Sequence, residues 1–577
     1  MIDYFNPFEY EAATKFTPEQ VLDFYIEDFN YSRFVHSRRN IFLVGERGTG
    51  KTMTLRYNSL PVQHQAARRQ NKETDYELVC VYIPCKTPLT HKQEYQLLEE
   101  FQASVINEHF LVLPIMYGIA DTISQVPGAL DGADEERLRQ ELAFTLSLEL
   151  PPGMPLLEGL KQCLQREVAR SQRAINARQP EAFYDGAVSF SAGVLPLITC
   201  LRQAPALRQS HFALMMDDAH DLNLFQTKIL NSWIAYRDNT LFSFKLAVAK
   251  VERPTLITSS GGTILEGHDF TLVDMEQPYQ NRYSSFGKLA RRIIECRLSK
   301  IGVKESPEEF FPENPQFTAE LGACRQEARA EAQNKYPDGD TKKITDHVYK
   351  YARAKYFGGR SPKAGRPPYS GFDMLVHMST GVIRNLLEPC YWMYDRAISE
   401  ANLNQGQAPQ IQLISPTVQT EVIMERSRRK WEWLREGLDK SIEGCSKEQA
   451  TQLFQLFDNL AVHFWERLRQ HESEPRATIF VISETAVSGS DELQELLEIA
   501  RRAQVLYVYT SSAKDHGKRE PFYVPNRMLW PERGLDPQGQ HARVSIKARH
   551  LLAAAQLNQR IPLEPEQEEA TKGLFDE

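Results

Sequence analysis

The sequence predicts an α/β protein whose first half is a three-layer core around a parallel sheet. Two observations lead to this fold class. Short apolar runs alternate with helical segments as far as about residue 280, and the first run leads directly into a glycine-rich turn and a helix. Beyond residue 280 amphipathic helical patterns dominate, until short strands return near residue 478. At 577 residues the chain is too long for one hydrophobic core, so about two to four domains are expected.

The strands of the core are predicted from apolar runs of four to nine residues. They lie at 41–44, 78–83, 211–217, 241–249 and, as a shorter edge, 270–273. The first 39 residues are predicted to be helical, with Thr17 capping a helix that opens at Pro18. The long helical stretch at about 88–200 exceeds what one strand-helix unit needs, so it predicts a helical insertion in the core.

A phosphate-binding loop is predicted immediately after the first strand. The segment Gly45, Glu46, Arg47, Gly48, Thr49, Gly50, Lys51, Thr52 fits the pattern G-x-x-x-x-G-K-[ST]. Backbone N–H groups of such a turn point at an anion, and glycines let the backbone close around it. These residues are predicted to bind a nucleoside triphosphate. Lys51 would reach the β- and γ-phosphates, and the Thr52 hydroxyl would contact Mg²⁺.

A pair of acids ends the strand at 211–217. In a doubly wound sheet, the end of this strand lies at the carboxyl edge, beside the phosphate loop. Asp217 is predicted to hold the metal through water, and Asp218 to polarise the attacking water. The alternative is that both acids are merely solvated, as strand ends often are.

Composition points to a globular protein with 42% hydrophobic and 25% charged residues. The apolar segment 110–120 is interrupted by Pro114 and Gly118, which predicts that it falls short of a membrane span. The eight cysteines are dispersed and predict core thiols rather than disulfides or a zinc site. With no leader pattern at the first residues, a cytoplasmic protein without a membrane segment is expected. The net charge of −8 leaves a local basic face open.

A third motif, at 379–387, reads Ser-Thr-Gly-Val-Ile-Arg-Asn-Leu-Leu. With it, the chain resembles the AAA+ ATPases, and among them the origin-recognition (ORC) type replication initiators and their prokaryotic relatives. The motif is similar to the family's sensor 2, G-x-x-R at the start of a lid helix, and residues 30–400 carry the resemblance. It implies a P-loop NTPase core that binds ATP with Mg²⁺ and hydrolyses it, with Arg384 over the γ-phosphate. The alternative for Arg384 is an ordinary surface arginine.

The chain also departs from this family. Asp218 stands where glutamate is commoner, which fits slow, switch-like hydrolysis, and the insertion before Asp217 is unusually long. The family's sensor 1 side chain is expected at the end of the strand near Ala249, where Lys250 is the nearest candidate. Arg253 and Arg282 are both candidates for the arginine finger that acts on a neighbouring subunit, and the spacing selects neither.

The resemblance implies a domain order for the whole chain. The expected segments are an N-terminal helical part, the NTPase core with its insertion, a helical lid, a helical connector, a winged-helix-like α+β domain and an acidic tail, at 1–39, 40–280, 281–405, 406–472, 473–560 and 561–577.

Basic residues are concentrated in the predicted winged-helix-like domain. Residues 501–549 hold ten Lys/Arg against four acids, and Lys514, Lys518 and Arg519 lie in the loop that would be a wing. This balance favours contact with DNA, although a solvated face remains the alternative. Trp530 is predicted to be buried, and the basic cluster 427–431 to be a solvated helix face.

Two classes of function follow. The first is an AAA+ ATPase that forms a homo-oligomer and uses the nucleotide cycle to assemble and to engage double-stranded DNA or a DNA-associated complex. The alternative is an ATP-switched sensor or scaffold for a protein partner in prokaryotic signalling or antiviral defence. No nuclease, protease or deaminase constellation is recognisable, so any effector chemistry is expected on a partner subunit.

Overall fold

The computed structural model describes most of the chain and divides it into two compact units. The described residues are 6–10, 13–27, 31–85, 99–176, 186–236, 240–250, 254–275, 284–360, 366–405, 411–470, 474–484, 489–512, 519–539 and 542–563. One unit, called here the core unit, is Tyr10–Glu276. The other, called the C-terminal unit, is Gln277–Glu577 together with the first nine residues.

The core unit is built on a parallel sheet of five strands in the order β2-β3-β4-β1-β5. The strands are β1 (Ile41–Val44), β2 (Leu78–Pro84), β3 (His211–Asp217), β4 (Phe242–Val248) and β5 (Thr271–Asp274). All five lie where the sequence predicts them, because each central strand is apolar enough to be buried on both faces. Strand β1 lies between β4 and β5, and Ile41 is in register with Lys245 on one side and Thr271 on the other. The predicted α/β core is confirmed.

Helices cover the sheet, and their ends follow local capping rules. They are α1 (Pro18–Phe24), α2 (Ser32–Val35), α3 (Lys51–Asn58), α4 (Leu60–Arg69), α5 (Glu100–Ser124), α6 (Glu135–Leu146), α7 (Leu156–Asn176), α8 (Val194–Leu201) and α9 (Leu224–Ile234). The predicted cap of α1 is confirmed: the Thr17 side chain accepts a hydrogen bond from the Gln20 backbone, and the Gln20 side chain accepts one from Thr17. Among the described residues of the insertion, helix is the main element, as predicted.

The predicted interruption of the apolar segment 110–120 is wrong. Helix α5 runs without a break through Pro114 and is long and apolar enough, by length and composition, to cross a membrane. Two thirds of that apolar stretch is buried. The core formed with the sheet includes Leu111, Val112, Leu113, Ile115 and Met116. Gly118 lies against β2, where an added Cβ would be 3.2 Å from the Ile83 side chain. Burial on this scale offsets the hydrogen bond that Pro114 cannot donate.

The C-terminal unit is helical before it becomes α+β. Its helices are α10 (Ser285–Ser299), α11 (Pro307–Phe310), α12 (Pro315–Lys335), α13 (Thr341–Gly359), α14 (Phe372–Met378), α15 (Ile383–Gln405), α16 (Pro416–Glu436), α17 (Leu438–Ser441), α18 (Lys447–Gln470), α19 (Ser490–Arg502) and α20 (Ala548–Gln556). The predicted break at Gly381 separates α14 from α15, with Gly381 at φ 78°. Left-handed backbone of this kind ends helices.

A four-stranded sheet closes the C-terminal unit, in the order β7-β8-β6-β9. Its strands are β6 (Ile479–Ser483), β7 (Leu506–Ser512), β8 (Arg519–Pro525) and β9 (Arg543–Lys547). The strand-helix-hairpin order of β6, α19, β7 and β8 is the predicted one, whereas β9, parallel to β6, and helix α20 add to it. Trp530 is fully buried, as predicted, with its ring edge-to-face on Phe464 at 5.7 Å.

Of the remaining sequence predictions, some are confirmed and others concern residues outside the described part of the chain. All eight cysteines are free thiols, and Cys80, Cys200 and Cys390 are buried as predicted. Lys514 and Lys518 of the predicted wing lie outside the described residues, as does the side chain of Arg519. Most of the predicted acidic tail, from residue 564 onward, also lies outside them.

Candidate nucleotide site

The phosphate loop and the acidic strand end meet at the carboxyl edge of the core sheet. Strand β1 runs into the loop, β3 ends at Asp217, and β4 lies between the two strands. The side chain of Thr52, in the first turn of α3, lies close enough to the Asp217 carboxylate to lower its pKa. The two predicted halves of the site therefore lie side by side.

Glycine determines the path of the loop. Gly48 and Gly50 have φ values of 89° and 101°, which other residues rarely adopt. At Gly45 an added Cβ would lie 2.8 Å from the Thr49 hydroxyl oxygen. That hydroxyl donates to the Glu46 carbonyl at 2.9 Å and closes the turn. The loop backbone therefore turns tightly just before the N-terminus of α3. Backbone N–H groups in this geometry bind an anion.

Lys51 lies over this loop. Its ammonium donates to the carbonyl oxygens of Gly45 at 2.6 Å and Glu46 at 2.9 Å, and only 6% of the residue is exposed. Backbone carbonyls thus hold the buried ammonium at the loop, where a bound phosphate would need a positive charge. Lys51 therefore lies at the loop, and its contact with phosphate oxygens stays a prediction.

Asp217 is a buried carboxylate with one oxygen satisfied by tyrosine. The Tyr82 hydroxyl donates to Oδ2 at 2.8 Å, and Asp217 is 1% exposed. Burial, and then the charge of Asp218, raise the pKa of Asp217 to about 6, against the lowering effect of Thr52, Tyr82 and Lys51. The other oxygen, Oδ1, has no hydrogen-bond donor within the described part of the chain. Such an oxygen, on a carboxylate that lies near Thr52, suits a hard divalent cation such as Mg²⁺.

Asp218 follows β3 in the left-handed conformation, at φ 52°. Aspartate tolerates this backbone better than most residues. The turn leads into the short 3-10 segment Ala219–Asp221 and places a second negative charge beside Asp217.

Several site residues were not predicted from the sequence. Tyr82, near the end of β2, holds Asp217, and the Asp217 carbonyl accepts a hydrogen bond from the Cys85 backbone at 2.9 Å. The His220 imidazole accepts from the Ala249 backbone at 3.2 Å and so ties the acidic turn to the end of β4. Arg47 of the loop lies 3.8 Å from Asp221. Only Tyr82 could have been predicted from the sequence, because it lies near the end of a predicted strand and the ends of parallel strands lie at one edge of the sheet.

Lys250, the sensor 1 candidate, forms an ion pair with Asp274 at the end of β5, at 3.1 Å. Its ammonium is therefore drawn across β1, away from β3. The two arginine finger candidates, Arg253 and Arg282, lie outside the described residues.

Arg384 lies in the C-terminal unit, in the first turn of α15 as predicted, and is half-buried. The phosphate loop lies in the core unit. Within the described part of the chain, the Arg384 side chain forms no hydrogen bond or ion pair.

Many of the basic residues between 501 and 549 are engaged inside the C-terminal unit. Arg527 is buried, Arg533 pairs with Asp458 at 2.6 Å, and Lys547 pairs with Glu484 at 3.0 Å. Arg543 lies over the Phe522 ring at 4.1 Å. These four contribute to packing, so the basic balance overstates the free positive surface.

The cluster at 427–431 is partly structural in the same way. Arg429 pairs with Glu425 at 2.5 Å, and Trp431 is buried with its indole N–H on the Leu529 carbonyl at 2.8 Å. Only part of this cluster is the predicted solvated face.

Comparison with known proteins gives a family for the chain. A family model described as ORC-CDC6-like matches residues 6–331 and 315–546. Similar solved structures include the Aeropyrum pernix ORC1 protein in complex with DNA, at 10% identity, 90% coverage of this chain, 94% of that chain and a TM-score of 0.28. Cdc6p from Pyrobaculum aerophilum is similar at 13% identity, 96% and 97% coverage and a TM-score of 0.28. No curated protein matches the sequence.

Proposed function

The chain belongs to the ORC-CDC6-like family, and from this premise we propose that it is an AAA+ ATPase that binds and hydrolyses ATP with Mg²⁺ and uses that cycle to engage DNA. The observation that carries the proposal is the approach of the phosphate loop, with Thr52, to Asp217 at one edge of the sheet. A glycine-framed anion site and a buried carboxylate are brought together there, and one carboxylate oxygen lacks a donor among the described residues.

The residues of the site divide the work of holding Mg²⁺–ATP. Backbone N–H groups of residues 45–52 would bind the phosphates, and the Lys51 ammonium would leave the loop carbonyls for the β- and γ-phosphate oxygens. Thr52 would contact the metal, and Asp217 would hold it through water. The metal supplies charge neutralisation and orientation of the phosphates.

Asp218 is proposed to polarise the attacking water. It is one carbon shorter than the glutamate common at this place, and its left-handed backbone fixes where the side chain starts. Tyr82 and His220 are positioning residues in this scheme: the first orients the Asp217 carboxylate, and the second fixes the turn that carries Asp218.

The C-terminal unit is proposed to contain the lid at 281–405, the connector at 406–472 and the winged-helix-like domain at 473–560. Arg384 is proposed to act on the γ-phosphate as sensor 2. ATP-dependent assembly into a homo-oligomer, with double-stranded DNA as the partner, is proposed from family membership.

A second candidate is an ATP-switched scaffold for a protein partner. It is favoured by the internal use of Arg527, Arg533, Arg543 and Lys547, which leaves less basic surface for DNA than the sequence implies. Asp218 in place of glutamate also fits a slow switch.

One experiment separates the two candidates: ATP turnover with and without double-stranded DNA, at low and high salt. Stimulation by DNA that weakens with salt supports the first candidate, because phosphate contacts release counterions. Turnover indifferent to DNA, together with an ATP-dependent increase in particle mass in the presence of a protein partner, supports the second. If neither ATP binding nor turnover is measurable, both candidates fail.

A further inference from the structure

The turn that leads into the helix of Arg384 is buried against the C-terminal sheet. This turn, called here the sensor turn, consists of Ser379, Thr380, Gly381 and Val382. Ser379 and Thr380 are fully buried, and Val382 belongs to one apolar cluster with side chains of the sheet. Its partners in that cluster come from β6, β7 and β8: Ile479, Tyr507, Tyr509, Phe522 and Val524.

Hydrogen bonds attach the sensor turn to this sheet. The Tyr509 hydroxyl donates to the Thr380 carbonyl at 3.3 Å. The Tyr507 hydroxyl accepts from the Asn385 amide at 2.9 Å, and the same amide donates to the Ser379 carbonyl at 3.1 Å. Asn385 is the residue after Arg384, so the attachment includes the first turn of the sensor helix itself.

A third attachment comes from the segment after β8. The Arg527 backbone N–H donates to the Thr380 hydroxyl at 3.2 Å. The Arg527 guanidinium is buried and donates to the carbonyls of His377 at 3.4 Å and Gly539 at 3.3 Å. The sensor turn is therefore held from the sheet and from the chain that follows it.

Thr380 is in a conformation that needs such support. Its φ is 55°, in the left-handed region, where a β-branched side chain clashes with the backbone. A residue of this kind persists only when the surrounding contacts impose its conformation. Here those contacts come from Tyr509 and Arg527, which lie more than 120 positions after Thr380 in the chain.

We propose that Tyr507 and Tyr509 are positioning residues for Arg384, and that the C-terminal α+β domain thereby regulates how tightly ATP is held. By fastening a strained turn, the two hydroxyls fix the start of α15 and with it the direction of the arginine. A ligand that shifts this sheet changes the affinity for ATP, and by reciprocity ATP changes the affinity for that ligand. This inference rests on the proposed role of Arg384 at the γ-phosphate.

The test is a set of equilibrium affinities for ATP and for ADP, measured on the full chain. The variants are Tyr507→Phe with Tyr509→Phe, Arg384→Ala, and all three together. Tyr523→Phe is the matched control, since Tyr523 is a buried tyrosine of β8 whose ring stacks on Phe480 at 5.2 Å and whose hydroxyl forms no hydrogen bond to the sensor turn among the described residues.

The paired tyrosine variant is expected to lower the preference for ATP over ADP by about fivefold or more, the effect of losing one or two buried hydrogen bonds. Affinity for ADP is expected to stay unchanged, because ADP has no γ-phosphate. In the Arg384→Ala background the tyrosine changes are expected to add nothing. Asn385→Ala removes the Tyr507 bond from the other side, together with the bond to the Ser379 carbonyl. It is expected to lower the preference for ATP over ADP in the same direction with both tyrosines kept, which guards against a folding defect in the tyrosine variants.

Two outcomes overturn the inference alone. One is a tyrosine effect of the same size with and without Arg384, and the other is an equal effect of Tyr523→Phe. Equal affinity for ATP in the wild type and in Arg384→Ala overturns both the inference and the proposed role of Arg384. A protein that does not bind ATP at all overturns the proposed function itself.

Discussion

Replacing Asp217 with asparagine is expected to make the metal-free protein more stable while removing its dependence on Mg²⁺. The carboxylate is buried, and desolvation together with Asp218 raises its pKa from 3.8 to about 6. This difference corresponds to about 3 kcal/mol at 1.36 kcal/mol per pH unit, which the folded protein loses by keeping Asp217 charged at neutral pH. Asparagine has the same shape and no charge.

The net gain is smaller than that, since the amide that replaces Oδ1 leaves a buried donor unpaired at a cost of about 1 kcal/mol. We therefore expect Asp217→Asn to raise the free energy of unfolding of the core unit by about 2 kcal/mol at pH 8. For a unit of this size the midpoint temperature would rise by about 4–8 °C. Function is lost in exchange for stability, because the residue that holds the metal is gone.

The stability difference between Asp217→Asn and the wild type is expected to increase with pH. A carboxyl whose folded pKa lies above its unfolded value destabilises the fold at high pH, and that cost disappears as it takes up a proton. The charge cost that Asp217→Asn removes should thus be complete well above pH 6, about half as large at pH 5 and close to zero well below pH 3.8. With the unpaired amide subtracted, the net advantage is about 2 kcal/mol at pH 8 and about 0.5 kcal/mol at pH 5.

The assay is thermal unfolding with EDTA present, at pH 8 and pH 5, for the wild type, Asp217→Asn and Glu73→Gln. Glu73 is an exposed acid of the same unit, so its variant should behave as the wild type at both pH values. An Asp217→Asn protein that is less stable than the wild type at pH 8, or whose advantage grows as the pH falls, would refute the reasoning.

Two further predictions concern one residue at the site and one outside it. Asp218→Asn should leave ATP affinity within about threefold while turnover falls by about a hundredfold or more, the range for loss of a general base, and unimpaired turnover would remove Asp218 from its role. Asp536→Asn should destabilise the C-terminal unit by about 3–5 kcal/mol in urea unfolding, because it leaves Arg353 and Arg476 buried without their partner. Burial alone raises the pKa of Asp536, yet these two arginines hold it well below its usual range, so this contribution is present at neutral pH and is lost in strong acid. Asp338→Asn, an exposed change in the same unit, is the control; equal stability of the two variants would contradict the expectation.

The sequence was sufficient for the features that depend on local pattern. Buried strands show as apolar runs, the loop shows as a spaced motif, and the cap of α1 shows as Thr17 with Gln20 three residues later. The approach of Thr52 to Asp217 was predictable because parallel strands end at one edge.

Contacts between distant parts of the chain were not predictable in this way. Lys245 interrupts an apolar strand, yet it is buried, and its ammonium bonds to the Ser37 carbonyl at 2.5 Å. The continuity of α5 through Pro114 depends on the surface that covers it, and local propensity alone predicted a break. The excess of basic residues near the end of the chain overstated the free positive surface for the same reason, since Arg533 pairs with Asp458, 75 positions away.

The most direct measurement of the central claim is equilibrium binding of ATP with and without Mg²⁺ to the wild type, Lys51→Ala and Lys72→Ala. Lys72 is an exposed lysine of the core unit that bonds to Gln70. The account predicts Mg²⁺-dependent binding by the wild type and by Lys72→Ala, and affinity lower by roughly ten- to a hundredfold in Lys51→Ala, the loss expected for a charged hydrogen-bonding group. Equal binding by Lys51→Ala, or wild-type binding that ignores Mg²⁺, would contradict it.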